Sequence, residues 1–166
     1  MCRVYVSGKL KDELQIRQLR NYIWVATDAE EFYRQRDPHI TIVPAFNAPE
    51  EKLDIINQII DSKNFKHSEV RIKSLSVYEN IHKPYTVQLD AEYDIRSEVD
   101  QLISELQPHA ESEIRNPDSP HITLFKTQGW WDTIPKENRR AIQSEIMSTV
   151  GLRDTEISRL NTEIIK

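Results

Sequence analysis

Two tripeptides, His39-Ile40-Thr41 and His121-Ile122-Thr123, are the residues of this chain best suited to chemistry. Each is preceded by proline, and the longer echo sets 37-Asp-Pro-His-Ile-Thr-Ile-Val-43 against 119-Ser-Pro-His-Ile-Thr-Leu-Phe-125. In a strand, alternate side chains share a face, so each histidine projects with the threonine two residues on while the intervening isoleucine points away. Breaking a phosphodiester takes a base for the attacking water, an acid for the leaving oxygen and donors for the charge on the phosphoryl oxygens. Two imidazoles and two hydroxyls supply that set without a metal, since imidazole exchanges protons near neutral pH and a hydroxyl can donate to phosphate. A single His-x-Thr in a strand is ordinarily structural. Two of only five histidines in the same Pro-His-Ile-Thr context point to function instead.

The surrounding pattern tells which elements must hold the tripeptides. Alternating apolar residues predict strands over 3–10, 22–26, 39–46, 69–78, 85–90, 120–126 and 155–165. The 39–46 strand is ended by Pro44, and a hairpin at 80–84 joins the pair at 69–78 and 85–90. Helical spacing of Leu53, Ile56, Ile59 and Ile60 predicts a helix over 49–61. A second helix spans 95–114 with a kink at Pro108, and a third spans 135–150, with Pro135 at its start and Gly151 at its end. A short polar helix or loop follows the first strand, and 28–34 reads as a helical turn or loop. The mixture is an α+β domain occupying residues 1–166, helices packed on largely antiparallel sheets, and a helix follows each tripeptide strand. Two related halves facing each other bring the tripeptides to one cleft.

At this point the chain resembles the 2H phosphoesterase superfamily, which includes the LigT-like RNA ligases and the 2′,3′-cyclic nucleotide phosphodiesterases and is named for two His-x-Thr/Ser motifs. The resemblance rests on His39-Ile40-Thr41-Ile42, His121-Ile122-Thr123-Leu124 and the element order over nearly the whole chain. It implies a bilobal, pseudo-symmetric α+β fold, two largely antiparallel sheets forming a central cleft with helices outside. It also implies opening of a 2′,3′-cyclic phosphate, on a nucleotide or RNA end, to a 2′-phosphate with no metal or other cofactor. His39 and His121 become the acid–base pair, with His121 assigned as base and His39 as acid, and Thr41 and Thr123 hold the phosphate. The family's range leaves two other roles open: a 2′–5′ RNA ligase, or a nuclease acting on 2′–5′ or cyclic oligonucleotide signals. A non-catalytic nucleotide- or RNA-binding module is the third alternative.

Secondary candidates are rings that could stack on a base, Tyr78, Tyr85, Trp130 and Trp131, and the groups Arg36, His82, Lys83 and Lys126 near the phosphate. Core packing accounts for each ring at least as well, and charges near turns or strand ends are more often solvated surface. His67 and His109 read as structural or exposed.

Composition sets the outer bounds. A formal charge of −5 argues against a long duplex, whose binding depends on many cationic contacts, but leaves room for a small phosphate ligand. One cysteine precludes an internal disulfide or a thiolate metal cluster. No apolar run spans a bilayer and the N-terminal residues lack a signal-peptide pattern, so a cytoplasmic monomer off the membrane is expected. His-Glu-x-x-His, Gly-x-x-x-x-Gly-Lys, Gly-x-Ser-x-Gly and His-x-His-x-His are all missing from the sequence.

Overall fold

The computed structural model describes residues 1–27, 37–79, 85–117, 119–127 and 129–165. Their elements run β1 (Cys2–Leu10), α1 (Glu13–Thr27), β2 (His39–Ala48), α2 (Leu53–Asp61), β3 (Glu69–Tyr78), β4 (Tyr85–Tyr93), α3 (Arg96–Leu106), β5 (His121–Thr127), α4 (Lys136–Val150) and β6 (Thr155–Ile165). The order is one βαβαβ unit followed by another. Every strand pairing is antiparallel.

Pairing divides the strands into two triplets, β6-β1-β2 and β3-β4-β5, so the third strand of each unit crosses to the other. Long ladders hold each triplet together. Two thin seams join the triplets: Ile40 against Ile122 between β2 and β5, and Glu69–Glu156 with Val70–Thr155 between β3 and β6. The ring of strands thereby closes. This is the expected pseudo-symmetric pair of sheets, with closure of the ring in addition.

Alternation decides the two faces. Val4, Val6, Ile40, Ile42, Leu89 and Ile122 are fully buried and face the helices. There they meet Ile16, Leu19 and Ile23 of α1, Ile56 and Ile60 of α2, and Val99 and Leu102 of α3 in one hydrophobic core. Gly8, opposite Ile40 in the β1–β2 ladder, lets that side chain approach: a Cβ at Gly8 would stand 3.1 Å from the Ile40 Cγ2.

Three sequence expectations need correction. Residues 22–26 are the last turns of α1, not a strand. A short apolar run fits either element, and the tertiary core selects Ile16, Leu19 and Ile23 at helical spacing while leaving Val25 86% exposed. Strand β2 passes through Pro44 to Ala48, because register shifts in the β1–β2 ladder on this stretch form a bulge where a missing N–H does no harm. Helix α3 stops at Leu106, and Pro108 lies in a 3₁₀ turn, Gln107–His109. The Gln107 amide then holds the irregular segment, donating to the Ser112 carbonyl at 3.1 Å and accepting from the Ile114 N–H at 2.9 Å. Segment 28–34 and the 80–84 hairpin lie outside the described residues. Among those described, no helix is long and apolar enough to cross a membrane.

Helices α2 and α3 pack together, and Lys63, just past α2, donates to Glu105 of α3 at 2.6 Å. That hydrogen bond, ahead of the opposing effect of burial, holds the Glu105 carboxyl below its ordinary value of 4.5. A depressed carboxyl contributes stability above its unfolded value and loses it as pH falls. Glu105→Gln should therefore flatten the acid limb of the stability–pH curve below pH 4.5, followed by denaturant titration. Ile122→Ala, which hollows the seam, should cost about 2–5 kcal/mol in the same measurement at neutral pH. Gly8→Val, which overfills the contact with Ile40, should cost about 1–3 kcal/mol.

Candidate functional site

The Ile40–Ile122 pair sets the site. Because the strands are antiparallel, continuing its register one residue either way puts His39 across from Thr123 and Thr41 across from His121. With both isoleucines in the core, all four side chains project to the other face. They line one cleft of about 1030 Å³.

The histidines are held alike. His39 Nδ1 lies 3.0 Å from the Asp37 carbonyl oxygen, and His121 Nδ1 lies 3.1 Å from that of Ser119. A carbonyl only accepts, so each Nδ1 carries a proton and donates it two residues back. Nε2 is left on both rings as the atom that gains or loses a proton. The accepting carbonyl in each case belongs to the residue before a proline at a strand start. Arg17 fixes the first of these by an ion pair with the Asp37 carboxylate.

The flanks of the two histidines differ. Beside His121 in the β4–β5 ladder stands Asp90, whose carboxylate accepts from Ser74 at 2.9 Å, Ser76 at 2.9 Å and Gln88 at 3.1 Å. Beside His39 in the β1–β2 ladder stands Lys9, and the Tyr5 ring packs against the His39 imidazole with centroids 6.1 Å apart. Thr86, Gln88 and Asp90 alternate along β4 into the cleft, as Ser76 and Tyr78 do on β3. Arg20 of α1 is 5% exposed and still lines it.

Of the secondary candidates, Tyr78 and Lys126 line the cleft, Tyr78 with 61% of its surface exposed. Tyr85 and Trp130 do not. Tyr85 falls on the same face of β4 as the buried Val87 and Leu89, which alternation dictates. Trp130 starts a 3₁₀ turn, Trp130–Thr133, and packs on the core. Trp131 is buried with its indole N–H donating to Glu79 at 2.6 Å and Arg139 stacked 4.9 Å from the ring centre. Arg36, His82 and Lys83 lie outside the described residues. His67 and His109 are away from the cleft, His67 with its Nδ1 3.2 Å from Glu156.

Sequence reading missed Tyr5, Arg20, Ser76, Gln88 and Asp90. The polar side of the β3–β4 alternation carried a signal for Ser76, Gln88 and Asp90. Arg20 carried none, because nothing local shows which neighbour a helix will meet. Among the described residues no cluster of three or more His, Cys, Asp or Glu could hold a metal ion. The shared Nδ1 geometry predicts that neutral His39 and His121 both populate the Nδ1-protonated tautomer. Long-range ¹H–¹⁵N correlation spectra at alkaline pH should show it, and an Nε2-protonated ring would contradict the carbonyl bonds.

No protein-family model matches the chain. No curated protein matches it in sequence. Solved structures do match in shape. Usb1 of Kluyveromyces marxianus superposes with a TM-score of 0.54 at 13% identity, over 98% of this chain and 96% of that one. The same protein with uridine monophosphate gives 0.56 at 14% identity, over 98% and 96%. The PDE domain of MHV ns2 gives 0.57 at 11% identity, over 98% of this chain and 99% of that one. From end to end, then, the chain has the 2H phosphoesterase fold that its paired His-x-Thr strands implied.

Proposed function

We propose that the chain is a phosphodiesterase that opens 2′,3′-cyclic phosphates of nucleotides or RNA ends to 2′-phosphates by two-histidine acid–base catalysis. One observation carries the reading: two imidazoles with identical Nδ1-to-carbonyl bonds and two threonine hydroxyls line a single cleft. The neighbouring folds support it, one being a PDE domain and another having been solved with a nucleoside monophosphate.

In the proposed step His121 Nε2 takes a proton from water as the water oxygen attacks phosphorus. The bond from phosphorus to O3′ breaks, and His39 Nε2 gives its proton to O3′, leaving the phosphate on O2′. Water and the cyclic ester are consumed, and the two histidines end with exchanged protonation states. Asp90, held by Ser74, Ser76 and Gln88, lines the cleft on the strand paired with His121. Thr41 and Thr123 donate to the equatorial oxygens, where charge grows in the transition state. Arg20 and Lys126 add positive charge to the same cleft, and the exposed Tyr78 ring offers a face for a base.

Turnover of uridine 2′,3′-cyclic phosphate in EDTA tests this directly, with uridine 2′-phosphate as the expected product. His39→Ala and His121→Ala should each lose about 10²–10⁴-fold in kcat. Thr41→Ala and Thr123→Ala should each lose about 10²–10³-fold, as for single donors to a developing oxyanion. The rate should fall at low pH, where the base is already protonated, and at high pH, where the acid has lost its proton. Full activity in either histidine variant would end the acid–base assignment, and binding without turnover would favour a nucleotide-binding module.

A further inference from the structure

On the far side of His39 the cleft continues into a second cavity of about 470 Å³, over the β6-β1-β2 triplet. The two share Tyr5, Asp37, His39 and Ile165 as lining. Register fixes the floor of the second: His39 is opposite Lys9, and Lys9 is opposite Arg159. Directly paired residues share a face, so the three strands carry His39, Lys9 and Arg159 in one row. The adjacent row, Thr41, Ser7 and Asn161, is uncharged.

Like charges directly opposite on adjacent strands oppose each other, and an anion between Lys9 and Arg159 would reverse that. Glu13 lies 3.4 Å from Lys9, whereas no ion pair of Arg159 occurs among the described residues. Two carboxylates also line the cavity, each with a partner of its own. Asp37 is bound by Arg17, and Glu163 accepts from Ser7 at 3.4 Å. Glu163 is four residues from Arg159 along β6, roughly 13 Å in an extended strand. Lys9 and Arg159 stand one and two strands from His39, about 5 and 10 Å at the backbone. A phosphate held there is a nucleotide's reach from one held between the histidines.

We propose that Lys9 and Arg159 form a second phosphate subsite, and that the substrate is an oligonucleotide whose neighbouring phosphodiester lies over β1 and β6. The proposal rests on the phosphodiesterase reading of the cleft and adds the substrate class. Its test compares wild type, Lys9→Gln, Arg159→Gln and the double variant on two substrates. These are uridine 2′,3′-cyclic phosphate and the dinucleotide adenylyl-uridine 2′,3′-cyclic phosphate, which adds one phosphodiester. Wild type should prefer the dinucleotide. Each substitution should lower the dinucleotide-to-mononucleotide ratio of kcat/KM roughly tenfold, the scale of one charge-assisted hydrogen bond, chiefly through KM. The double variant should also flatten the log–log salt dependence of dinucleotide binding by about 0.7, one phosphate contact's worth. An unchanged ratio overturns the subsite while the phosphodiesterase reading stands. If wild type turns over neither substrate, that reading fails, and direct dinucleotide binding decides the subsite: weaker binding in the variants upholds it, and equal binding overturns it.

Discussion

The site depends on a single pair of isoleucines. Among the described residues Ile40 and Ile122 alone pair β2 with β5, and both are fully buried. Their burial turns each flanking histidine and threonine outward, because a strand cannot send neighbouring side chains to the same face. Their antiparallel register sets each histidine across from the other strand's threonine. Sliding it by one residue would turn one strand's pair toward the core. The seam is also short: pairing ends after one residue pair, so the strands diverge and leave room for a cleft between the triplets.

Proline before each histidine does a second job that is local. At a strand start it forfeits no ladder bond, and the carbonyl ahead of it accepts from the imidazole. The same three-residue arrangement occurs twice and leaves two like nitrogens facing one space. The local environment then breaks the symmetry. Strand β4 pairs Asp90 with His121, and strand β1 pairs Lys9 with His39.

Most of the fold was legible where periodicity was strong. The tripeptide strands, the helix through Ile56 and Ile60 and the Pro135-to-Gly151 helix follow from apolar spacing and end signals, and Gly151 is left-handed with φ 60° as a helix stop requires. Failures came where a short signal had two readings. The 22–26 run has the composition of a strand, yet it is helical because Ile16 and Leu19 precede it on the face that meets the core. Pro44 looked like a strand end and is accommodated in a bulge, which only the partner strand can create. Tyr85 and Trp130 attracted notice as aromatic rings, and their facing put them elsewhere.

What the sequence determined by itself was therefore the chemistry on offer: four side chains, the strand alternation that pairs them, and the prolines that start the strands. These are properties of neighbours along the chain, governed by local geometry. Tertiary structure decided how the two halves meet, which polar groups from β1, β3, β4 and α1 surround the histidines, and which row of cations continues the cleft onto β6. Those facts depend on register between strands distant in sequence. It is set by burying both isoleucines in one core, a condition that no local stretch of the chain can express.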